Sequence, residues 1–469
     1  MFASCNDWLN IQPESSVDIK ELFSREEGFC EALNGIYSRA TNNMSYGGLL
    51  TVELPEVLVQ NYSYEPQDYT TYAKTAAFDL NDATFKWRLA SAWSSAYSAI
   101  ANCNLILQQI DEKKELFQAG MYELIKGEAL ALRAFLHFDM LRLFAPSYKT
   151  GPTRDAIPYV MAYSNKVTPL SSVSQVLESA ADDLEKAKTL LERDPIRGVN
   201  YVVGYNTDGD TITEQQNPNL FLQNRRHRLN YYAVCGTLAR VYLYKEDYPK
   251  ALSNAQEVFN ANKFKWADPA LVLAAAEEKD RVMYPELVFA WYNDNNEESL
   301  KNRFADARVR YFVSTTHLRT IYEADNVGGG DYRFSGWFTA SRQSNDRYQL
   351  VKYLKNTAEG GDKHFLVVPS IRLSEMYYIA AEAVYASNPA LAWEYLNTVR
   401  LKRNVVAPNT DFEDALLKEY RKETYAEGQA FYAYKRLNRG IVTEAGLIYE
   451  PSRTYTFPLP DDEIEFGER

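Results

Sequence analysis

A chain of 469 residues is roughly three times the common domain size, which excludes a small disulfide scaffold and leaves room for several domains or one large layered one. Hydrophobic residues at 46% and charged residues at 24% sit at globular averages, so the composition gives no reason to invoke disorder. The balance of 51 basic against 63 acidic residues, net −12, disfavours broad binding to nucleic acid or to anionic head groups.

Taken in chain order, the first feature is Cys5, which follows Phe2, Ala3 and Ser4 like a residue just past a processing point. No basic segment with a long apolar run precedes it, so no complete signal peptide is expected in this stretch. The other cysteines, Cys30, Cys103 and Cys235, form no CxxC or Cys/His cluster and are expected as core thiols. Apolar residues at three-to-four spacing predict at least nine helices: 24–41, 84–111, 117–144, 172–193, 226–245, 248–262, 370–387, 389–403 and 412–439. Pro146 should stop the third, and Lys435, Arg436 and Arg439 followed by Gly440 should close the last. Three stretches break the period: 45–80, the Gly-, Asn- and Asp-rich 197–224, and 280–369 with Gly328-Gly329-Gly330. No apolar run approaches the length of a spanning helix.

Within 229–262, Leu238, Ala239, Tyr242, Tyr248, Ala251, Ala255 and Val258 fall at the offsets of a tetratricopeptide repeat, whose small residues let two helices approach. A weaker copy lies at Ile379, Ala380, Ala383, Ala392, Leu396 and Val399. The copies are not in tandem. The expected fold class is therefore mainly α, with tetratricopeptide-like helix pairs forming a scaffold and long loop and short-strand insertions.

These motifs add up to a resemblance. Cys5-Asn-Asp-Trp-Leu-Asn-Ile-Gln-Pro13, Trp93 with Tyr97, Ile100 and Asn104-Leu-Ile-Leu107, and the helix Glu128 to Phe144 occur in the order seen in the SusD/RagB family of outer-membrane lipoproteins. So do Ala239-Arg-Val-Tyr-Leu-Tyr244, Arg372 to Ala383, Leu396-Asn-Thr-Val-Arg400, Glu427-Gly428 and Phe457-Pro-Leu-Pro460. The chain departs from that pattern at Glu246, where a glycine is usual, and at Ala430-Phe431-Tyr432-Ala433, where many relatives carry an Arg and an Asp. The resemblance implies a lipoprotein N-terminus and tether over 1–23, acylated at Cys5. A single SusD-like domain would follow over 24–469, with its helical scaffold at 24–44, 84–262 and 370–439 and ligand-binding insertions at about 45–80 and 280–369. It further implies a non-catalytic, lipid-anchored protein of the cell surface that captures oligo- or polysaccharide for a SusC-like TonB-dependent transporter, with no cofactor. Part of the family is suited to peptide uptake, so a peptide- or protein-binding lipoprotein of the RagB type is the alternative.

Sugar rings present apolar C–H faces and polar edges, so a site needs flat aromatic platforms with amide, carboxylate or guanidinium groups at the rim. The 35 Tyr, more than the 22 Phe and 7 Trp together, suit such a surface. Three clusters supply candidates: Tyr62, Tyr64, Tyr69 and Tyr72 with Asn61, Gln67 and Asp68; Trp291, Tyr292, Asn293 and Asp294 with Asn295 and Asn296; and Tyr332 and Trp337 with Arg333 and Phe334. Each ring has the alternative of closing the core beneath the insertions. Rings within helices, such as Trp87, Trp93, Tyr242 and Tyr378, are expected in the core. His137, His227, His317 and His364 are isolated and make no HExxH or triad motif, so no enzyme is expected. Asn206 to Asp210 begins like a calcium loop but has Thr211 and Asn217 at positions that need Gly and Glu, so no metal site is expected.

Overall fold

A computed structural model describes residues 19–64, 71–205, 210, 212–275, 278–294, 296–304, 311–341, 344, 346–356 and 366–467. Cys5 and most of the expected tether, Gln67, Asp68, Tyr69, residues 206–209 of the acidic loop and Asn295 lie outside the described residues.

The scaffold is built from α1 (Glu26–Ala40), α2 (Ala83–Ile110), α3 (Met121–Phe144), α4 (Val173–Leu190), α5 (Tyr231–Tyr244) and α6 (Tyr248–Asn260). Local chemistry sets their ends. Ser172 and Gln175 form a reciprocal capping box at the start of α4, and the Asn230 side chain accepts from the backbone N–H of Tyr232 and Ala233 to open α5. α3 ends at Phe144 because Ala145, preceding Pro146, is extended. Nearly every residue of α3 is buried, since α2 and α4 pack on it from two sides and α1 and α5 add further contacts.

The helix pairs are as the repeat spacing predicts. α5 packs on α6, and α9 (Leu373–Tyr385) packs on α10 (Pro389–Lys402), with Ala239, Ala251, Ala380 and Ala392 fully buried. α6 also packs against α9, so pairs far apart in sequence stack side by side. Between them runs the expected insertion, with β1 (Leu287–Tyr292), β2 (Phe312–Ser314), α7 (Thr315–Tyr322), α8 (Tyr332–Trp337), β3 (Phe338–Ala340), β4 (Arg347–Leu350) and β5 (Val367–Arg372). β1 pairs antiparallel with β5, Trp291 opposite Val368 and Tyr292 opposite Val367, while β2, β4 and β3 form a small antiparallel sheet in that order. One apolar core fills most of the helical scaffold, a second lies beneath the insertions around Tyr62, Phe304, Tyr322 and Trp337, and a third lies among the C-terminal helices around Tyr378, Leu396 and Phe412.

The predicted helix 412–439 is two helices, α11 (Phe412–Glu423) and α12 (Ala430–Leu437). Ala426 and Gly428 adopt positive φ, and a Cβ on Gly428 would lie 2.8 Å from the Leu50 carbonyl oxygen. The break turns the Glu427 carboxylate inward onto buried Lys352 and Arg372. Asn438 in the left-handed region, rather than Gly440, caps α12. The basic run 225–228 is also outside the helix predicted from 226: it forms a tight turn whose Arg225 and Arg226 are fully buried.

Candidate functional site

Strand geometry sends consecutive side chains to opposite faces, and at the end of β1 this separates Trp291 from Tyr292. Trp291 enters the scaffold core, 1% exposed, stacked on Tyr46 at 4.3 Å between ring centroids and edge-on to Phe135 and Phe289. Tyr292 faces the other way, 45% exposed, on the wall of a cleft of about 870 Å³. One face of its ring stacks on His227, centroids 5.1 Å apart and planes within 11°. The rest of the exposed side chain lines the cleft.

Four segments distant in sequence meet there: the polar face of α1 with Glu26, Glu27, Cys30, Glu31, Asn34 and Ser38; Gln118; the turn 219–228; and Tyr292, Asn293 and Asp294. The turn is held by buried ion pairs. Arg225 bonds Asp194 at 2.8 and 3.0 Å and lies 2.7 Å from Glu128; Arg226 bonds Glu214 at 2.8 and 2.5 Å. Burial raises the Glu214 pKa, but the Arg226 charge and hydrogen bonds outweigh it and leave the carboxyl below its ordinary value. Asn224, in the left-handed region, turns the chain so that Phe221, His227 and Arg228 line the cleft. Arg228 donates to Glu128 at 2.9 Å and to Asn34 at 2.7 Å, and its guanidinium lies 4.1 Å over the Phe221 ring. Asn293 donates to the Thr41 carbonyl at 2.6 Å, tying the end of β1 to the end of α1. Burial lowers the His227 pKa to about 4, so its ring is uncharged at neutral pH. Burial, with Glu26 beside it, raises the Cys30 thiol to about 12, which makes it a wall group and not a nucleophile.

Of the sequence candidates, Tyr292, Asn293 and Asp294 line this cleft. Tyr62, Tyr72, Tyr332 and Trp337 are inside the protein, with their hydroxyls or indole N–H already used. Tyr62 is buried against Tyr311 and Tyr425 and donates to the Val52 carbonyl at 2.7 Å. Tyr72 lies under the Arg88 guanidinium at 3.5 Å and bonds Glu53. Tyr64 packs against the same core, partly buried. Buried Tyr332 bonds the Lys402 carbonyl and accepts from Arg403, while Trp337 is fully buried, donates to the Arg281 carbonyl at 2.8 Å and has Lys352 3.9 Å over its ring. The insertions thus need these rings to build their own core, which corrects the expectation that they face a ligand. Trp87 departs the other way: it is 55% exposed, because α2 buries Phe85, Leu89 and Trp93 on the opposite face, and it borders a smaller cleft with Pro458, Leu459 and Pro460. Trp93, Tyr242 and Tyr378 are core, as expected. Cys103 and Cys235 are buried, but Cys30 is only half-buried.

The sequence reading missed His227, Asn224, Phe221 and the polar face of α1. For Asn224 and Phe221 the one legible signal was the Asn-rich, aperiodic stretch 197–224, and His227 and α1 lie outside it. Among the described residues, no group of His, Cys, Asp or Glu gathers to hold a metal ion, and no helix is long and apolar enough to cross a membrane.

Comparison with known proteins places these features in a family. Residues 7–201 match a family model described as starch-binding and associating with the outer membrane, and residues 293–463 match the SusD family model. The chain is 20% identical to a SusD-like protein, P38, of Formosa agariphila, over 93% of this chain and 89% of that one. It superposes on a SusD-like carbohydrate-binding protein from Bacteroides vulgatus with a TM-score of 0.73 at 18% identity, covering 95% and 97% of the two chains. A laminarin-binding SusD-like protein gives a TM-score of 0.66 at 17% identity, covering 94% and 98%. At these identities the structural likenesses establish a shared fold.

Proposed function

Because the chain belongs to the SusD/RagB family, we propose that it is a non-catalytic, cell-surface lipoprotein, anchored through Cys5, that captures oligo- or polysaccharide in the cleft at Tyr292 and passes it to a SusC-like TonB-dependent transporter. The observation that carries this reading is the Tyr292 ring, stacked on one side by His227 and 45% exposed, in a cleft rimmed by amides and carboxylates. A sugar stacked on the free face would gain on the order of 1–2 kcal/mol by buried area, and the polar rim would take up the hydroxyls. A cleft of about 870 Å³ has room for several rings, so affinity accumulates along a chain. The carbohydrate-binding and laminarin-binding relatives support the same ligand class.

Native affinity electrophoresis through gels carrying single polysaccharides tests it. Retardation in at least one gel is expected, with Tyr292→Ala migrating as it does without polysaccharide. Unchanged retardation of that variant would move the site elsewhere. Peptide capture, the second possibility for this family, would show as no retardation in any gel together with binding to a peptide library.

A further inference from the structure

Charged groups are unevenly distributed around the cleft. Among the described residues, the α1 carboxylates Glu26, Glu27 and Glu31 line it, with Asp294 at the end of β1, against the guanidinium of Arg228. That guanidinium is already matched. Arg228 and Arg225 share the buried Glu128, and Arg225 also pairs with Asp194, so two cations face two anions in the wall. Arg226 is neutralised separately by Glu214. Arg25 sits 3.7 Å from Glu31 with both side chains well exposed, a pair that water and salt screen. The His227 ring is uncharged at neutral pH. Among the described residues, Glu26, Glu27 and Glu31 of α1 thus leave an excess of negative charge facing a ligand beside polar, neutral groups.

These neutral groups suit hydroxyls. The Asn224 and Gln118 side chains make no hydrogen bond among the described residues, and each amide offers a donor beside an acceptor, the pairing that neighbouring hydroxyls require.

We propose that this cleft selects uncharged glycans and rejects those bearing carboxylate or sulfate groups. The proposal rests on the glycan-capture reading above and deepens it by naming the ligand class. A ligand anion placed among these carboxylates lies within about 8 Å, one Debye length at physiological salt, of several like charges. Each anionic unit should therefore weaken binding by about tenfold relative to its neutral counterpart.

The experiment uses the full chain in two sets of gels, one with laminarin, xyloglucan or galactomannan and one with alginate, polygalacturonate or carrageenan. Retardation in at least one neutral gel and in no acidic gel is expected. Retardation in an acidic gel that Tyr292→Ala abolishes would overturn the selectivity and leave glycan capture standing. No retardation in any gel would overturn the glycan reading and this one with it. As a second arm, Glu27→Lys with Glu31→Lys reverses two charges on the exposed face of α1. The double variant, with an unchanged thermal midpoint, is expected to gain retardation in at least one acidic gel, more strongly at 20 mM than at 150 mM salt. A folded double variant with no such gain would remove the electrostatic basis of the proposal.

Discussion

Trp291 and Tyr292 are neighbours in the chain with the same apparent chemistry, and their roles differ because a strand turns them to opposite faces. Trp291 is 1% exposed among Tyr46, Phe135 and Phe289, so Trp291→Ala should open a cavity and cost about 3–5 kcal/mol, read as a drop in the urea midpoint. Tyr292→Ala removes a ring that packs on His227 alone among the described aromatic contacts, and should cost less than about 1 kcal/mol while removing ligand binding. Equal losses for the two variants would contradict the assignment of one ring to the core and the other to the cleft. Sequence supplied the pair and the aromatic type. It could not supply the phase of the strand, because β1 is buried along almost its whole length and shows no alternation to read. Trp87 shows the converse: its place among apolar helix residues suggests core, yet it sits two residues from both Phe85 and Leu89, off the buried stripe.

At the level of elements, helix positions were legible from apolar spacing, and capping residues such as Ser172, Asn230 and Asp411 mark their starts. The break between α11 and α12 was not, because its cause lies in other segments. Glu427 turns inward to meet Lys352 and Arg372 from the insertion, and Gly428 passes close to the backbone at Leu50 and Thr51. A second buried ion cluster joins the same parts. Arg403, at the end of α10, bonds Glu286 from the insertion at 2.5 Å and Glu423 of α11 at 2.5 Å, while Arg333 bonds Asp331, Glu419 and Glu423 at 2.7 to 3.0 Å. Arg403→Met would leave Glu286 without its cation and Glu423 with one fewer. It should destabilise the fold by about 3–5 kcal/mol in chemical denaturation, since the buried carboxylates lose charge compensation. A loss under about 1 kcal/mol would mean that water or a side-chain rearrangement restores the balance.

Over the whole molecule, buried groups set the response to acid. His137 is fully buried; its Nε2 accepts from the Val160 N–H at 2.9 Å, its Nδ1 donates to the Arg133 carbonyl at 2.8 Å, and burial lowers its pKa to about 3. His227 is lowered to about 4 by burial as well. A folded pKa below the unfolded one means that the unfolded chain takes up protons first, so stability present above about pH 6.5 is lost as pH falls. His137 alone should account for about 2 kcal/mol between pH 7 and pH 5. Asp280, raised to about 6 by burial, and Glu56, also raised by burial, oppose this, but burial lowers His317 as well, so three histidines stand against two carboxyls. Below about pH 4.5 the loss should steepen, because Glu419, despite burial, is held near 2 by Arg333, Lys422 and Arg400. The urea midpoint is therefore expected to fall from pH 7 to pH 5 and to fall faster below pH 4.5. A midpoint that is flat or rises over that range would show that the histidines are charged in the folded state.

The order of motifs from Trp93 to Phe457-Pro-Leu-Pro460, the helix spacing and the paired alanines at 239, 251, 380 and 392 are local patterns, and they determined the fold class and the family by themselves. Which rings meet solvent was decided only in three dimensions. The cleft joins α1, Gln118, the turn at 219–228 and the end of β1, segments that share no sequence window. Its shape depends on Arg225 and Arg226 being drawn into the interior by Asp194, Glu128 and Glu214, a long-range electrostatic closure that no local periodicity records.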